Sequence, residues 1–408
     1  MYLRLLRSNR DFRLLYTGTL ISLGGDWFLT VALLDLVLQL TGSATLASLM
    51  LLCQMLPIFI LTPIAGHVVD RVDRRKLMVL VDLMRTGACL LPLLARTPAL
   101  LPFAYLGVIA ISIGSAYFEP ASQAALPNIV AGEELAPANV LMGSTWGTML
   151  AVGAAIGGAV TMRFGRDVSF VVDAVSFLVS ALILRMMRAR FNEPREDHAE
   201  APPLLESIRQ TARYARANPR VLALLMVKGG HGLGAGVIAL LSVYGKQVFR
   251  AGAFGIGILF AARGIGALLG PFAVHAFARG RPERQYMTIG PSIVLFGVCY
   301  MILGFTTTLF VGAIAILFAH LGGGAQWQTS TFGLQRETPD WIRGRVFAAD
   351  WGFATLTMAL SSLLAGLAAD RFGATAATIG VASICTIWAA WWWAWSWKLW
   401  RATPQHVP

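Results

Sequence analysis

Charge is scarce in this sequence. Only 13% of its 408 residues are Asp, Glu, Lys or Arg, where a soluble globular protein carries roughly 25%. So little polar surface cannot cover the two or three domains that a soluble chain of this length would form. Acidic residues are the rarer sign, 21 against 33 basic ones. Cysteine is rarer still, and Cys53, Cys89, Cys299 and Cys385 all lie inside apolar runs, which excludes a disulfide framework. The N-terminal stretch MYLRLLRSNRDFRLLYTG has no small-residue cleavage site, and the apolar run after it is too long for a leader. The first span is therefore expected to be its own insertion signal.

Apolar runs are what the sequence has in abundance. Segments near 20 residues, the length that crosses a hydrocarbon core of ~30 Å, recur along the whole chain. They fall at 14–38, 45–69, 77–95, 101–121, 139–162, 167–187, 220–245, 254–278, 286–304, 309–333, 346–369 and 374–397. Gly and Pro inside them do not veto helix, because neighbouring helices satisfy the freed backbone groups. With the N-terminus inside the cell, 24 Lys and Arg fall in cytoplasmic segments, six on the opposite side and three within spans. That asymmetry predicts a multi-pass protein of the cell membrane with both termini cytoplasmic. The basic residues sit at span ends and form no basic domain, so nucleic acid is not an expected partner.

A polar, Pro-containing stretch, NEPREDHAEAPP (192–203), separates the sixth and seventh spans. It leads into LLESIRQTARYARANPR, where Leu204, Leu205, Ile208, Ala212 and Ala215 share one helical face and Arg209, Arg213 and Arg216 another. This reads as an amphipathic helix on the membrane surface. The expected organisation is a six-helix bundle over 1–187, a cytoplasmic linker with that helix over 188–219, and a second bundle over 220–408. A repeat agrees with it: GAVTMRFG (158–165) returns as GLAADRFG (366–373), 208 residues later.

The stretch GHVVDRVDRRKL (66–77) packs six charges between two long apolar runs. Gly66 allows close helix approach, Asp70 can face the positive end of a neighbouring helix, and Arg71, Arg74 and Arg75 can bridge carboxylates or carbonyls. Contacts that form when one side closes and break when it opens make a conformational latch. Charges placed only to fix topology are the simpler alternative. With twelve spans and a midway linker, this loop resembles the signature between helices 2 and 3 of the major facilitator superfamily. NRDFRLLY (9–16), FVVDAVSFL (170–178) and TPDWIRGRVFA (338–348) are similar to its drug-exporter branch, which includes macrolide and siderophore exporters. The resemblance implies an all-α membrane fold of two pseudo-symmetric six-helix bundles, with Asp70 meeting helix 11. The matching place in the second half, GPFAVHAFARGRPER (270–284), lacks the Asp-Arg pair.

Gly153, Gly157 and Gly158, in GTMLAVGAAIGGAV, resemble the glycine-rich motif of proton-coupled exporters, with Ala154 where the family usually has Pro. Close packing through small residues explains them equally well. Span 4 has no Arg where related antiporters often place one.

Ionisable residues at membrane depth are functional candidates by default. Asp26 lies about 18 Å along span 1 at ~1.5 Å per residue, near midplane, and shares a polar stripe with Thr19, Ser22 and Thr30. It is the first candidate for a protonatable cavity carboxylate coupled to release of a cation; a packing hydrogen bond is the alternative. Asp35 points the other way. Arg263 is expected either to bind an anionic group or to neutralise a carboxylate, and Lys228 lies beside His231 in the glycine-rich KGGHGLGAG. Glu119 is a candidate gate or relay near the end of span 4. Asp82 and Arg85, three apart, are expected to pair, while Asp173 and Asp350 rank low. The tryptophans of WAAWWWAWSWKLW (388–400) read as an interfacial belt with lipid-facing neighbours.

No metal cluster, cofactor motif or nucleophile–base arrangement is present in the sequence, so an enzyme is not expected. The reading is a secondary transporter, a monomer in lipid that exports a small amphipathic drug, macrolide or siderophore against protons. Lysophospholipid transport and a non-transporting sensor on the same fold are the alternatives.

Overall fold

The structure, a computed structural model, describes residues 2–130, 132–189, 191, 204–278 and 281–401. Among them are helices and turns only, and twelve spans are long and apolar enough to cross a membrane. The all-α, twelve-span expectation is borne out.

A short helix, α1 (Tyr2–Ser8), precedes α2 (Arg10–Thr41). Asn9 caps α2 by accepting from the Phe12 N–H, and Gly42 ends it at φ 66°, where only glycine sits without strain. Then come α3 (Ala44–Arg71) and α4 (Arg74–Ala88), the second capped by Asp73. The third span does not stay α-helical to its end: it finishes as a 3-10 turn, Leu91–Leu94, around Pro92, whose ring nitrogen has no proton to donate. The first half continues through α5 (Leu101–Ile129), α6 (Gly132–Phe164) and α7 (Arg166–Met186).

The amphipathic segment forms α8 (Leu204–Ala217). Its Arg209, Arg213 and Arg216 are exposed, as expected, but Ile208 is also exposed and the buried pair is Thr211 and Ala215. Leu204, Leu205 and the 192–203 stretch lie outside the described residues or side chains. The seventh span breaks into α9 (Pro219–Gly234), α10 (Gly236–Val243) and a π turn, Tyr244–Val248. After it follow α11 (Gly252–Ala278), α12 (Pro282–Phe305), α13 (Leu309–Glu337), α14 (Asp340–Phe372) and α15 (Ala374–Arg401).

The chain divides into two compact units. One holds residues 1–196 with 241–261, the other 197–240 with 262–408. In the first, α2 packs on α6 and α7, α4 on α5 and α7, and α3 on α5. In the second, α9 packs on α14 and α15, and α12 on α13 and α15. Each pair in the second unit is the counterpart of one in the first, six spans on.

The sequence repeat has a matching geometry. α6 and α14 both run into a glycine of positive φ, Gly165 at 84° and Gly373 at 87°. Just before each, an arginine lies over the next ring, Arg163 on Phe164 at 5.7 Å and Arg371 on Phe372 at 5.6 Å.

The C-terminal tryptophans are not simply a belt. Trp392 is fully buried and donates its indole N–H to the Ala223 carbonyl at 2.9 Å, and Trp400 is buried against Tyr286. They fill the core between α15 and its neighbours, while Trp391 and Trp395 stack on each other at the surface.

Candidate functional site

In the first unit the polar centre is built around α2. Asp26 sits among charges from two other helices: Arg85 of α4 attracts it, while Asp82 of α4 and Glu119 of α5 repel it. Thr19, Ser22 and Thr30 of the same stripe are buried. Thr30 donates to the Asp26 carbonyl at 2.8 Å and accepts from Gln54 Nε2 at 3.0 Å, which fixes this part of α2 against α3.

Below this stripe the carboxylates are fully enclosed. Asp82 and Asp173 are both 0% exposed. Arg85 pairs with Asp82 at 3.2 Å and lies between the rings of Phe118 and Phe177, 5.0 Å from each centroid. Such a guanidinium is held by charge on its edge and by π-density on its faces. Asp173 accepts from the Cys89 thiol at 3.1 Å and from the Ser176 hydroxyl at 3.1 Å. It stands against Gly25, where a Cβ would collide with Ser176 Oγ and Asp173 Oδ1. Glycine is therefore required there for α2 to approach α7, and the approach brings Asp173 within reach of the charge of Asp26. Asp173 ranks low in the sequence because it lies near a span end, and Cys89 reads only as a cysteine within a span. Only the Gly24–Gly25 pair beside Asp26 signalled a helix this near.

At the far end of the same unit, Asp35 accepts from Lys246 and pairs with Arg166 at 3.8 Å. Gln247 donates to the Gly42 carbonyl at 3.0 Å. Gly153 and Gly157 of α6 lie against the backbone of α2 at Gly24 and Phe28, and Gly158 lies against Ala253 and Gly257.

The loop after α3 uses its arginines locally. Arg74 donates to the carbonyls of Ala124 and Phe191, both at 2.9 Å, and Arg75 donates to the Ala189 carbonyl and lies over the Phe191 ring. Asp11 accepts from the N–H groups of Arg188 and Ala189, so the same strand of chain is held from two sides. The surroundings of Gly66 and the side chains of Asp70 and Arg71 lie outside the described ones.

In the second unit the polar centre is built on α9 and is aromatic. Lys228 is 1% exposed. Its Nζ donates to Thr331 Oγ1 at 3.1 Å and to the Trp327 carbonyl at 3.3 Å, stands 3.7 Å from Asp350 Oδ2, and sits 3.5 Å from the centre of the Trp327 ring. One turn on, His231 stacks on Phe296 at 4.9 Å and meets Gln326 Nε2 through Nδ1 at 3.3 Å. Tyr300 and His320 share a hydrogen bond of 2.7 Å. Arg263 of α11 acts on His231, His320 and Tyr300. The structure thus brings Lys228 and Arg263 into one cluster around His231, and Asp26 and Glu119 into another around Arg85.

Comparison with known proteins agrees with this architecture. The family model described as transmembrane secretion effector matches residues 6–402. The chain is 25% identical over 369 residues to macrolide efflux protein A of Streptococcus pyogenes, covering 89% of this chain and 90% of that one. It is 27% identical over 365 residues to the multidrug efflux pump Tap of Mycolicibacterium fortuitum, covering 86% and 87%. In fold it is similar to a bacterial homolog of the human lysosomal transporter Spinster, with a TM-score of 0.74 at 15% identity over 97% of this chain and 98% of that one. A POT peptide transporter gives a TM-score of 0.77 at 10% identity over 96% and 95%. The match over nearly the whole length, on a twelve-span fold, means that this chain belongs to the transmembrane secretion effector family of the major facilitator superfamily.

Proposed function

We propose that this protein exports a small amphipathic molecule, a drug, macrolide or siderophore, across the plasma membrane by alternating access, with protons moving in exchange. Both termini are cytoplasmic in this reading, as the distribution of Lys and Arg favours, and the protein works as a monomer. The names of its relatives, a macrolide efflux protein and a multidrug efflux pump, support export.

The observation that carries proton coupling is the grouping of Asp26 with Asp82, Asp173 and Glu119 around Arg85. Four carboxylates facing one arginine repel one another, and like charges at close range cannot all stay ionised out of water. Taking up a proton relieves that repulsion, so the cluster can exchange a proton for a change elsewhere in the cycle. Asp82 and Asp173 are enclosed, while Asp26 is partly open and Glu119 exposed; Asp26, on the polar stripe of α2, is the one assigned to carry the transported proton. Arg74 and Arg75 act as the latch, releasing the carbonyls of residues 124, 189 and 191 when this side opens. Asp35 with Lys246 and Arg166 does the same at the other end.

The test is transport in proteoliposomes with an acidic interior, offered lipophilic cations, macrolides and a catecholate siderophore. The wild type accumulates at least one of them as long as the gradient lasts. Asp26→Asn still binds it but no longer accumulates it. Accumulation by Asp26→Asn at the wild-type rate would move coupling to another group, Glu119 first.

A further inference from the structure

We infer that the Lys228–Asp350–Trp327 cluster is a cation-binding subsite whose resting occupant is the protein's own lysine, and that a positively charged transported molecule displaces Lys228 from it. The inference rests on the transport reading above and names the charge of what is carried. Three observations lead to it.

The first is the setting of the ammonium. Lys228 Nζ is held over the Trp327 ring with its centroid at 3.5 Å, well inside the ~6 Å reach of a cation–π contact. Its Nζ donates to Thr331 and to the Trp327 carbonyl and stands 3.7 Å from Asp350 Oδ2, an ion-pair separation. The ammonium's charge already faces the Asp350 carboxylate and the Trp327 ring, so the cluster presents an anionic and aromatic surface rather than a free positive charge. What the cluster recognises is the cation.

The second is the carboxylate. Asp350 is 3% exposed, yet its Oδ1 has no hydrogen-bond partner among the described residues. An unmet buried acceptor costs about 1–3 kcal/mol or more. Here one oxygen faces Lys228 and the other is left for a second donor.

The third is access. Trp327 is only half-buried, and its edge-to-face neighbour Trp351, at 5.7 Å, is 50% exposed. The ring that carries Lys228 is thus continuous with an exposed aromatic side chain. Lysine suits a displaceable occupant, because its compact charge rides on a flexible four-carbon stem. A protonated amine or an onium group arriving along the tryptophans finds the same ring and the same carboxylate.

The experiment is equilibrium binding to the purified full-length protein in detergent. Radiolabelled tetraphenylphosphonium is the cationic probe and triphenylphosphine oxide the neutral competitor of similar shape. The wild type prefers the phosphonium. Lys228→Met keeps the volume, removes the competing charge and leaves Asp350 uncompensated, so phosphonium binds about tenfold tighter while the oxide is unchanged. Asp350→Asn weakens the phosphonium by about tenfold and again leaves the oxide alone. A ratio of the two probes unmoved by either substitution overturns the inference. If Lys228→Met is not monodisperse, the neutral pair Lys228→Met with Asp350→Asn decides: equal binding of the two probes is expected, and a surviving preference for the cation overturns it. A wild type that binds neither probe also overturns it. Transport of a macrolide or siderophore would then still stand, because the proteoliposome assay reads it separately.

Discussion

Where α2 crosses the middle of the first unit it meets Asp82, Asp173 and Glu119, with Arg85 the cation that faces Asp26 among the described residues. At the corresponding place in the second unit, α9 brings Lys228 and His231 against Trp327, Phe296 and the carboxylate of Asp350. Helix neighbours repeat from one unit to the other, and so do the arginine-on-phenylalanine endings of α6 and α14. The buried charges do not. Packing depends on the size and shape of many residues, so a repeat can keep it through extensive substitution. A buried charge depends on one or two partners and can be exchanged for the opposite sign wherever both partners change together. The result is one scaffold used twice, with carboxylates gathered around Arg85 in one half and a lysine held between an indole ring and Asp350 in the other.

The comparison breaks most readily at Arg85. Arg85→Leu leaves Asp82 buried without its countercharge, and removing one member of a buried pair costs about 3–5 kcal/mol. The variant is expected to lose most of its folded yield, read as monodisperse protein and thermal midpoint in detergent. A midpoint unchanged within a degree or two would mean that these carboxylates are not held against one arginine, and the contrast between the units would fail.

A smaller effect sharpens the shared part. Gly165→Ala and Gly373→Ala each force a side chain into a positive-φ, extended-ψ region that glycine almost alone adopts, at about 1–3 kcal/mol apiece. Nothing lies within 4 Å of the added Cβ at either position, so backbone strain alone sets the cost and the two losses should match. Clearly unequal shifts in thermal midpoint would show that the two endings are not structural equivalents.

Much of this was legible in the sequence. Spans of about 20 apolar residues, the polar linker and the 158–165 and 366–373 repeat were enough for a twelve-helix, two-part membrane fold. Asp26 stood out because an aspartate near midplane on a polar stripe has few structural excuses. Its grouping with its partners did not. Asp173 comes from α7, Arg85 from α4 and Glu119 from α5, and one sequence carries no signal for which helix packs on which. Asp350 was ranked low by its place in its span, though Lys228 reaches it from another helix. The tryptophans of α15 misled for a related reason. Composition reads Trp near a span end as interfacial, but Trp392 and Trp400 turn inward to fill space that only the packed neighbours define.

The most direct test counts protons released when tetraphenylphosphonium binds, by calorimetry in buffers of different ionisation enthalpy. If the first unit holds the exchangeable proton and the second takes the cation, wild type releases roughly one proton per ligand bound and Asp26→Asn close to none. Asp350→Asn binds more weakly but releases the same number per ligand bound. Undiminished release from Asp26→Asn, or release abolished by Asp350→Asn alone, would contradict the division of labour between the two units.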